Sequence, residues 1–386
     1  MEGASVDMDP ELARQLFFEG ATLVFLGVPE GSEFGIDCNS WQVGPRFKGV
    51  KMVPPGVHFV HYSVKRKDGA ASETGPRTGI FLHLQQKEIR LLHWNPQDEL
   101  MVPAPEEEAE KLREQLTSLD PFLGPYPYES LRCWVSLSSH INKEVIGRLQ
   151  PVCGNIYAFP EVLPTENMTL TEDRAKHNLP KYDSVCQSYK EGMSRLPLMK
   201  QKAGTEIRFS QLPAKLYPEN ATPAEVTKHS MDLSYALGCL LETNYPGHPL
   251  EVLAELQFSF VCFLLGNVYE GFEQWKGLLN LLCRSETFAL QQPDLYSEVI
   301  SILYHQLAQV PTDFFIDIVS QDNFLTSTLQ VLFSFLCSPS ADKSVRKKAM
   351  RFRAHLTKKF QWDFEEEPLD CAPIVVQLPE GWDNTA

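Results

Sequence analysis

Between residues 20 and 100, apolar positions come in short runs cut by glycine and proline. ATLVFLGV (21–28), FGIDCNSW (34–41), GVHFVHYSV (56–64), GIFLHL (79–84) and EIRLLHW (88–94) each read as a strand bounded by turn residues. Gly27, Gly31, Gly35, Gly44, Gly49, Pro54, Pro55 and Gly56 fall at strand-like intervals between them. Several short strands at this spacing predict an antiparallel β-sandwich or barrel. A short helix over 12–18 precedes it. The acid-then-base order of EEEAEKLREQL (106–116) suits a helix dipole, and helices over 127–139 and 142–149 follow. These close a first, β-rich domain over residues 1–155.

The pattern then loosens. Pro151 and then prolines at 160, 164, 180, 197, 213 and 218 mark the passage into a connector over 156–220, with strand-like pieces at NIYAF (155–159) and EIRF (206–209). From Thr222 the period changes to that of helices. Thr222-Pro-Ala-Glu225 is a capping box with proline at the first helical position. Helices are predicted at 223–243, 249–270, 272–284, 293–309, 312–320, 323–337 and 341–360, forming a helical domain over 221–361. Leu233, Ala236, Leu237 and Leu240 have the spacing of a buried face. The 252–265 segment is apolar nearly all round and is expected at the centre of the bundle. No fixed-period repeat is visible, although a stacked helical layer fits as well. The fold class is therefore α+β: a sandwich-like domain, then an all-α domain, then an acidic tail over 362–386.

Charge and cysteine usage narrow the functional classes. The 386 residues include 35 basic and 50 acidic side chains, a net charge of −15, which disfavours non-specific binding to nucleic acid. Nine cysteines are scattered without a CxxC pair, so neither a disulfide framework nor a zinc ribbon is suggested, and a reducing compartment fits best. The opening MEGASVDMDPEL lacks the order of a signal peptide. Glu255, Gln257, Ser259 and Asn267 interrupt the most apolar run, Val252 to Val268, so no membrane span is expected.

Catalytic motifs are missing: there is no GxSxG, no GxxxxGK[ST], no HExxH and no GxGxxG after a strand. His58 and His61 lie three apart on a strand and point to opposite faces, so they are expected to be one packed and one exposed histidine and not a metal pair. His229 and His305 sit on helices without ligand partners. Asp313, Asp317 and Asp322 lack the EF-hand order and suit capping or solvation. No catalytic, cofactor or metal site is predicted, and the chain reads as a non-enzyme. Residues 343–359 hold eight bases and no acid, and residues 361–386 seven acids and no base. The basic run suits a solvated helix face, a partner for the acidic tail, or RNA, the last being weakest for want of interleaved aromatics. Within the tail, Ile374, Val375, Val376, Gln377 and Leu378 have strand character between Pro373 and Pro379. Such a segment can add to the edge of another sheet, pack on its own first domain, or stay disordered.

Long blocks point further. FFEGATLVFLGVPEGSEFGIDCNSWQVGPRFKGVKMVPPGVHFVHYS (17–63), LDPFLGPYPY (119–128), AGTEIRFSQLP (203–213), HSMDLSYALGCLL (229–241) and ELQFSFVCFLLGNVYEGFEQWKGLLNLLCRSE (255–286) resemble the AAR2 (a1–alpha2 repression) splicing factor family. SILYHQL, DFFIDIVSQDNFLTSTLQVLF, LTKKFQWDF and CAPIVVQLPEG continue the resemblance over nearly the whole chain. It implies an N-terminal β-rich domain and a C-terminal helical domain similar to VHS-type bundles. It also implies an assembly factor of the U5 snRNP that binds the large scaffold protein Prp8 through its RNase H-like domain, and in yeast also its Jab/MPN-like domain. Such a factor holds a site later taken by the Brr2 helicase. In the fungal relative the tail adds as a strand between the two scaffold domains, a role that would fall here to Ile374–Leu378. The implied setting is cytoplasm and nucleus, without direct nucleic-acid or membrane binding. VHS-like topology alone would suggest another class, a helical adaptor for peptides in membrane traffic, which no basic lipid-facing patch or lipidation signal supports.

Overall fold

The computed structural model describes residues 10–66, 73–114, 116–164, 199–311 and 324–364. Its contacts separate two compact units. The first comprises the chain up to Phe209 together with Ala254–Trp275, and the second Ser210–Leu253 together with the chain from Lys276 on.

The strands are β1 Ala21–Leu26, β2 Glu33–Ile36, β3 Asn39–Gln42, β4 Gly49–Val53, β5 Gly56–Ser63, β6 Lys65–Arg66 and β7 Glu73–Thr74. They continue as β8 Thr78–Leu84, β9 Ile89–Asn95, β10 Leu100–Pro103, β11 Leu123–Pro125, β12 Ile156–Tyr157, β13 Val162–Pro164 and β14 Met199–Gln201. Two five-stranded sheets result, ordered β10-β9-β1-β4-β11 and β12-β8-β5-β2-β3. The second is antiparallel throughout. The first departs from the expected antiparallel sandwich, because β1 runs parallel to β9 and β4 parallel to β11. After β4 the chain builds β5 and β8 of the other sheet and re-enters beside β1 in the same direction. Strand β1 is buried at five of its six positions. Its unbroken apolar run, without alternation, is what a strand covered on both faces requires.

Between the sheets, Ala21, Leu23 and Phe25 of β1 pack with Phe34 and Ile36 of β2 and Val60 and Tyr62 of β5. The opposite face of the first sheet, Val24, Leu91 and Leu123, is covered by helices α2 (Glu106–Glu114) and α3 (Leu116–Leu119), while α1 (Pro10–Glu19) precedes β1. On the outer face of the second sheet, Phe59, Phe81 and Ile156 pack against Trp134 of α4 (Leu131–Ser138) and Val145 and Leu149 of α5 (Lys143–Leu149). Asn142 caps α5 by accepting the Val145 N–H at 2.9 Å. The EIRF segment, expected as a strand, has no regular structure. Its backbone turns inward to finish α5: the Arg208 N–H donates to the Leu149 carbonyl and its guanidinium to the Gln150 and Gly147 carbonyls.

Helices α6 (Pro223–Met231), α7 (Ser234–Asn244), α8 (Glu251–Leu264) and α9 (Tyr269–Cys283) follow. The Thr222–Glu225 capping box is present in full at the start of α6. The single helix expected over 223–243 is interrupted at Asp232. One carboxylate oxygen there takes the N–H and hydroxyl of Ser234, and the other those of Thr287. Beyond lie α10 (Glu286–Gln291), α11 (Pro293–Gln309), α12 (Phe324–Leu336) and α13 (Lys343–Phe360). The helix expected at 312–320 falls outside the described residues, as do Asp313, Asp317 and Asp322.

The apolar helix at 252–265 is buried on all sides, as its composition demands. Where its surroundings were expected to be other helices of the bundle, its residues from Ala254 group with the first unit, and Ala254, Phe258, Val261 and Cys262 share a core with the second sheet. The polar residues that interrupt it explain this. Gln257 Oε1 accepts the His140 N–H at 2.8 Å, and its Nε2 donates to the Ser136 carbonyl and the Ser139 hydroxyl. Glu255, with no exposed surface, accepts from Gln274 Nε2 at 2.9 Å and lies 3.7 Å from the Arg148 guanidinium. A buried amide and a buried carboxylate are tolerable only where such partners wait.

Candidate functional site

The tail strand Ile374–Leu378, the predicted partner-binding segment, lies outside the described residues. Among the described residues, the buried cluster that holds an acid, a histidine and a phenol, and two exposed surfaces, come into question.

The cluster forms at the two-residue turn between β2 and β3. Asp37 has a φ of +54° and no exposed surface. Its Oδ1 accepts the Phe59 N–H at 2.9 Å, and its Oδ2 faces His58 Nδ1 at 2.7 Å and accepts the Tyr126 hydroxyl at 2.6 Å. His58 Nε2 meets the Pro54 carbonyl at 2.6 Å. Both ring nitrogens thus have a polar partner. Burial, with the Asp37 charge beside it, pushes the Tyr126 phenol far above its usual range. An acid, a histidine and a phenol are the makings of acid–base chemistry. Here Asp37, His58 and Tyr126 are 0%, 2% and 3% exposed, so no substrate reaches them, and the cluster acts by tying the turn, β5 and the segment after β11 together.

His61, expected on the opposite face from His58, is there, but both rings are buried, against the expectation of one exposed. The outer face of β5 is covered by helices, which period-2 reading of one strand cannot foresee. Burial, with the Arg77 charge nearby, lowers the His61 pKa to about 4. Gly35 makes room for it, since a Cβ there would sit 2.2 Å from the His61 ring.

In the second unit, α13 carries the basic run. Asp342 caps it, accepting the Ser344 and Val345 N–H groups. Lys348 and Lys359 are bound into the fold. Lys348 Nζ donates to the Ser297 carbonyl at 2.6 Å, and Lys359 Nζ donates to the carbonyls of Leu307, Ala308 and Val310 at the end of α11. Lys343, Lys347, Arg351 and Lys358 are exposed, three of them spaced by one helical turn. Beside Arg351 is a groove of about 260 Å³ floored by Ile300 and Phe352 and edged by Tyr304, His305 and Lys348. His305 thus lines a surface groove, and His229 packs its ring 5.3 Å from Tyr235.

In the first unit, Phe159 and Tyr269, 71% and 69% exposed, edge a second groove of about 260 Å³ with Tyr157, Ile207 and Val268 at its sides. Exposed aromatics around an apolar hollow are the composition of an interface more than of a solvated surface. Among the described residues no group of three metal-ligating side chains comes together, and no helix is long and apolar enough to cross a membrane.

Two family models match the chain, one described as the AAR2 N-terminal domain over residues 19–151 and one as the AAR2 C-terminal repeat region over residues 209–365. Together they cover strands β1 to β11 and helices α2 to α13. The chain belongs to the AAR2 family. It is 60% identical to human "Protein AAR2 homolog" over 380 residues, 98% of this chain and 99% of that protein. The nematode Caenorhabditis elegans has a "Protein AAR2 homolog" 36% identical over 92% of this chain and 98% of its own length. In Saccharomyces cerevisiae, "A1 cistron-splicing factor AAR2" is 22% identical over 76% of this chain and 78% of its own. The AAR2 description of the helical part as a repeat region adds what the sequence period did not show.

Proposed function

We propose that this chain is a non-enzymatic assembly factor of the U5 snRNP. It binds the scaffold protein Prp8 at its RNase H-like domain, and through the tail also its Jab/MPN domain. By occupying the scaffold it holds the site that the Brr2 helicase later takes. A VHS-like arrangement of the C-terminal helices and residence in cytoplasm and nucleus belong to the same reading. The observation that carries it is the near-complete alignment with AAR2 proteins, of which the yeast member is named a splicing factor. Two features of the fold support it. The one acid–histidine–phenol cluster singled out above is sealed from solvent, and the exposed features are an aromatic-edged groove and a basic helix face on a chain of net charge −15. A basic stripe on an acidic protein orients encounter with an acidic partner.

Affinity capture from cell extract tests the reading. A tagged chain should recover Prp8 in particles that lack Brr2. Recovery of mature particles containing both, or of no U5 component, would overturn it.

A further inference from the structure

Cys38 and Cys133 come from opposite ends of the first domain's sequence and meet with their sulfurs 3.4 Å apart. Each is partly exposed. Their backbones are held on both sides. Asp37, just before Cys38, is fixed by Phe59, His58 and Tyr126, and Asn39, just after it, hydrogen-bonds the Ser130 hydroxyl. Trp134, next to Cys133, donates its indole N–H to the Val57 carbonyl at 2.7 Å. The pair is therefore a fixture of the fold and not a chance approach of two mobile side chains.

We propose that Cys38 and Cys133 form a redox modification site, a dithiol converted to an intramolecular disulfide by low-molecular-weight disulfides of the glutathione class. A disulfide needs about 2.05 Å between the sulfurs, so the bond requires them to approach by about 1.4 Å. The two thiols are chemically unequal. One proton shared between the two sulfurs stabilises the Cys133 thiolate and lowers the Cys133 pKa to about 7. The same shared proton, burial and the Asp37 carboxylate hold Cys38 far above its usual range. Cys133 is also the third residue of α4, where backbone N–H groups favour a thiolate. The Cys133 thiolate attacks one sulfur of oxidised glutathione, breaking its S–S bond and releasing one glutathione thiolate. Cys38 then loses its proton and attacks the Cys133 sulfur of the mixed disulfide, releasing the second. The two protein thiols give up two electrons and two protons, and one glutathione disulfide becomes two reduced glutathiones. The bond ties α4 to the β2–β3 turn and closes a loop of 95 residues.

The full-length reduced protein is equilibrated with oxidised and reduced glutathione at graded ratios, alkylated and digested for mass spectrometry. The expected product is a linked pair of peptides containing Cys38 and Cys133, formed at ratios that leave Cys153, Cys239 and Cys337 alkylated. The oxidised protein should melt several degrees higher, and dithiothreitol should reverse the shift. Cys38→Ser should stop at a single glutathione adduct on Cys133; if that variant folds poorly, the wild-type peptide map decides the proposal without it. Free thiols at both positions in excess oxidised glutathione, separate adducts on each without linkage, or linkage to other cysteines would overturn the proposal.

Discussion

Phe81 of β8 and Phe258 of α8 stack with ring centroids 4.4 Å apart and planes inclined at 20°. Phe258 has no exposed surface and Phe81 only 3%. This contact fastens a helix from the second half of the sequence onto a sheet from the first. Phe258→Ala should therefore destabilise the β-rich unit, by about 3–5 kcal/mol for a large aromatic removed from a packed core. Chemical denaturation followed by near-ultraviolet dichroism checks it. A cost below about 1 kcal/mol would mean that the helix contributes little to that unit.

Asp37 satisfies three buried groups at once. Asp37→Ala leaves the His58 ring, the Phe59 N–H and the Tyr126 hydroxyl without an acceptor, and the expected loss is about 3–5 kcal/mol. Tyr126→Phe removes one donor and should cost no more than about 1–2 kcal/mol. Denaturant midpoints of the two variants give the comparison, and equal losses would contradict the shared-acceptor account.

The pH dependence of stability has a definite sign at His61. Its pKa falls from 6.5 to about 4 on folding, chiefly through burial and then the Arg77 charge. Above pH 6.5 the ring is neutral in both states and costs nothing. As the pH falls from 6.5 toward 4, the unfolded chain takes a proton that the folded one refuses, and stability drops by up to about 3 kcal/mol. Melts of the wild type and His61→Gln across this range should converge at low pH as the wild type loses its advantage. Parallel curves would remove His61 from the account.

Local signals in the sequence were accurate where neighbouring residues decide the structure. The helix at 293–309 begins and ends where proline and the apolar period place it, and the Thr222 capping box is formed. Strand β1 was recognisable, and its lack of alternation already carried the sign of a parallel neighbour, although the strand period alone suggested an antiparallel sheet. What adjacent residues could not reveal were long-range choices. The break at Asp232 depends on Thr287, and the location of Phe258 on the second sheet it packs against. Gln257 and Glu255 were visible as interruptions of an apolar helix, but their partners on and around α4 and α5 were not. The Cys38–Cys133 approach left no sequence mark, since neither a CxxC nor any spacing rule connects them.

The proposed role of the tail has its own test. If the tail engages the partner as proposed, deleting residues 369–386 should weaken scaffold binding and leave the thermal melt almost unchanged. A fully retained affinity would remove Ile374–Leu378 from the interface.

The central claim is that this AAR2-family chain works by holding Prp8. Titration calorimetry of the full-length protein with the isolated RNase H-like domain of Prp8 measures it directly. The account predicts saturable one-to-one binding that an added Brr2 fragment competes away. Absence of binding heat at several temperatures, or binding unaffected by Brr2, would contradict it.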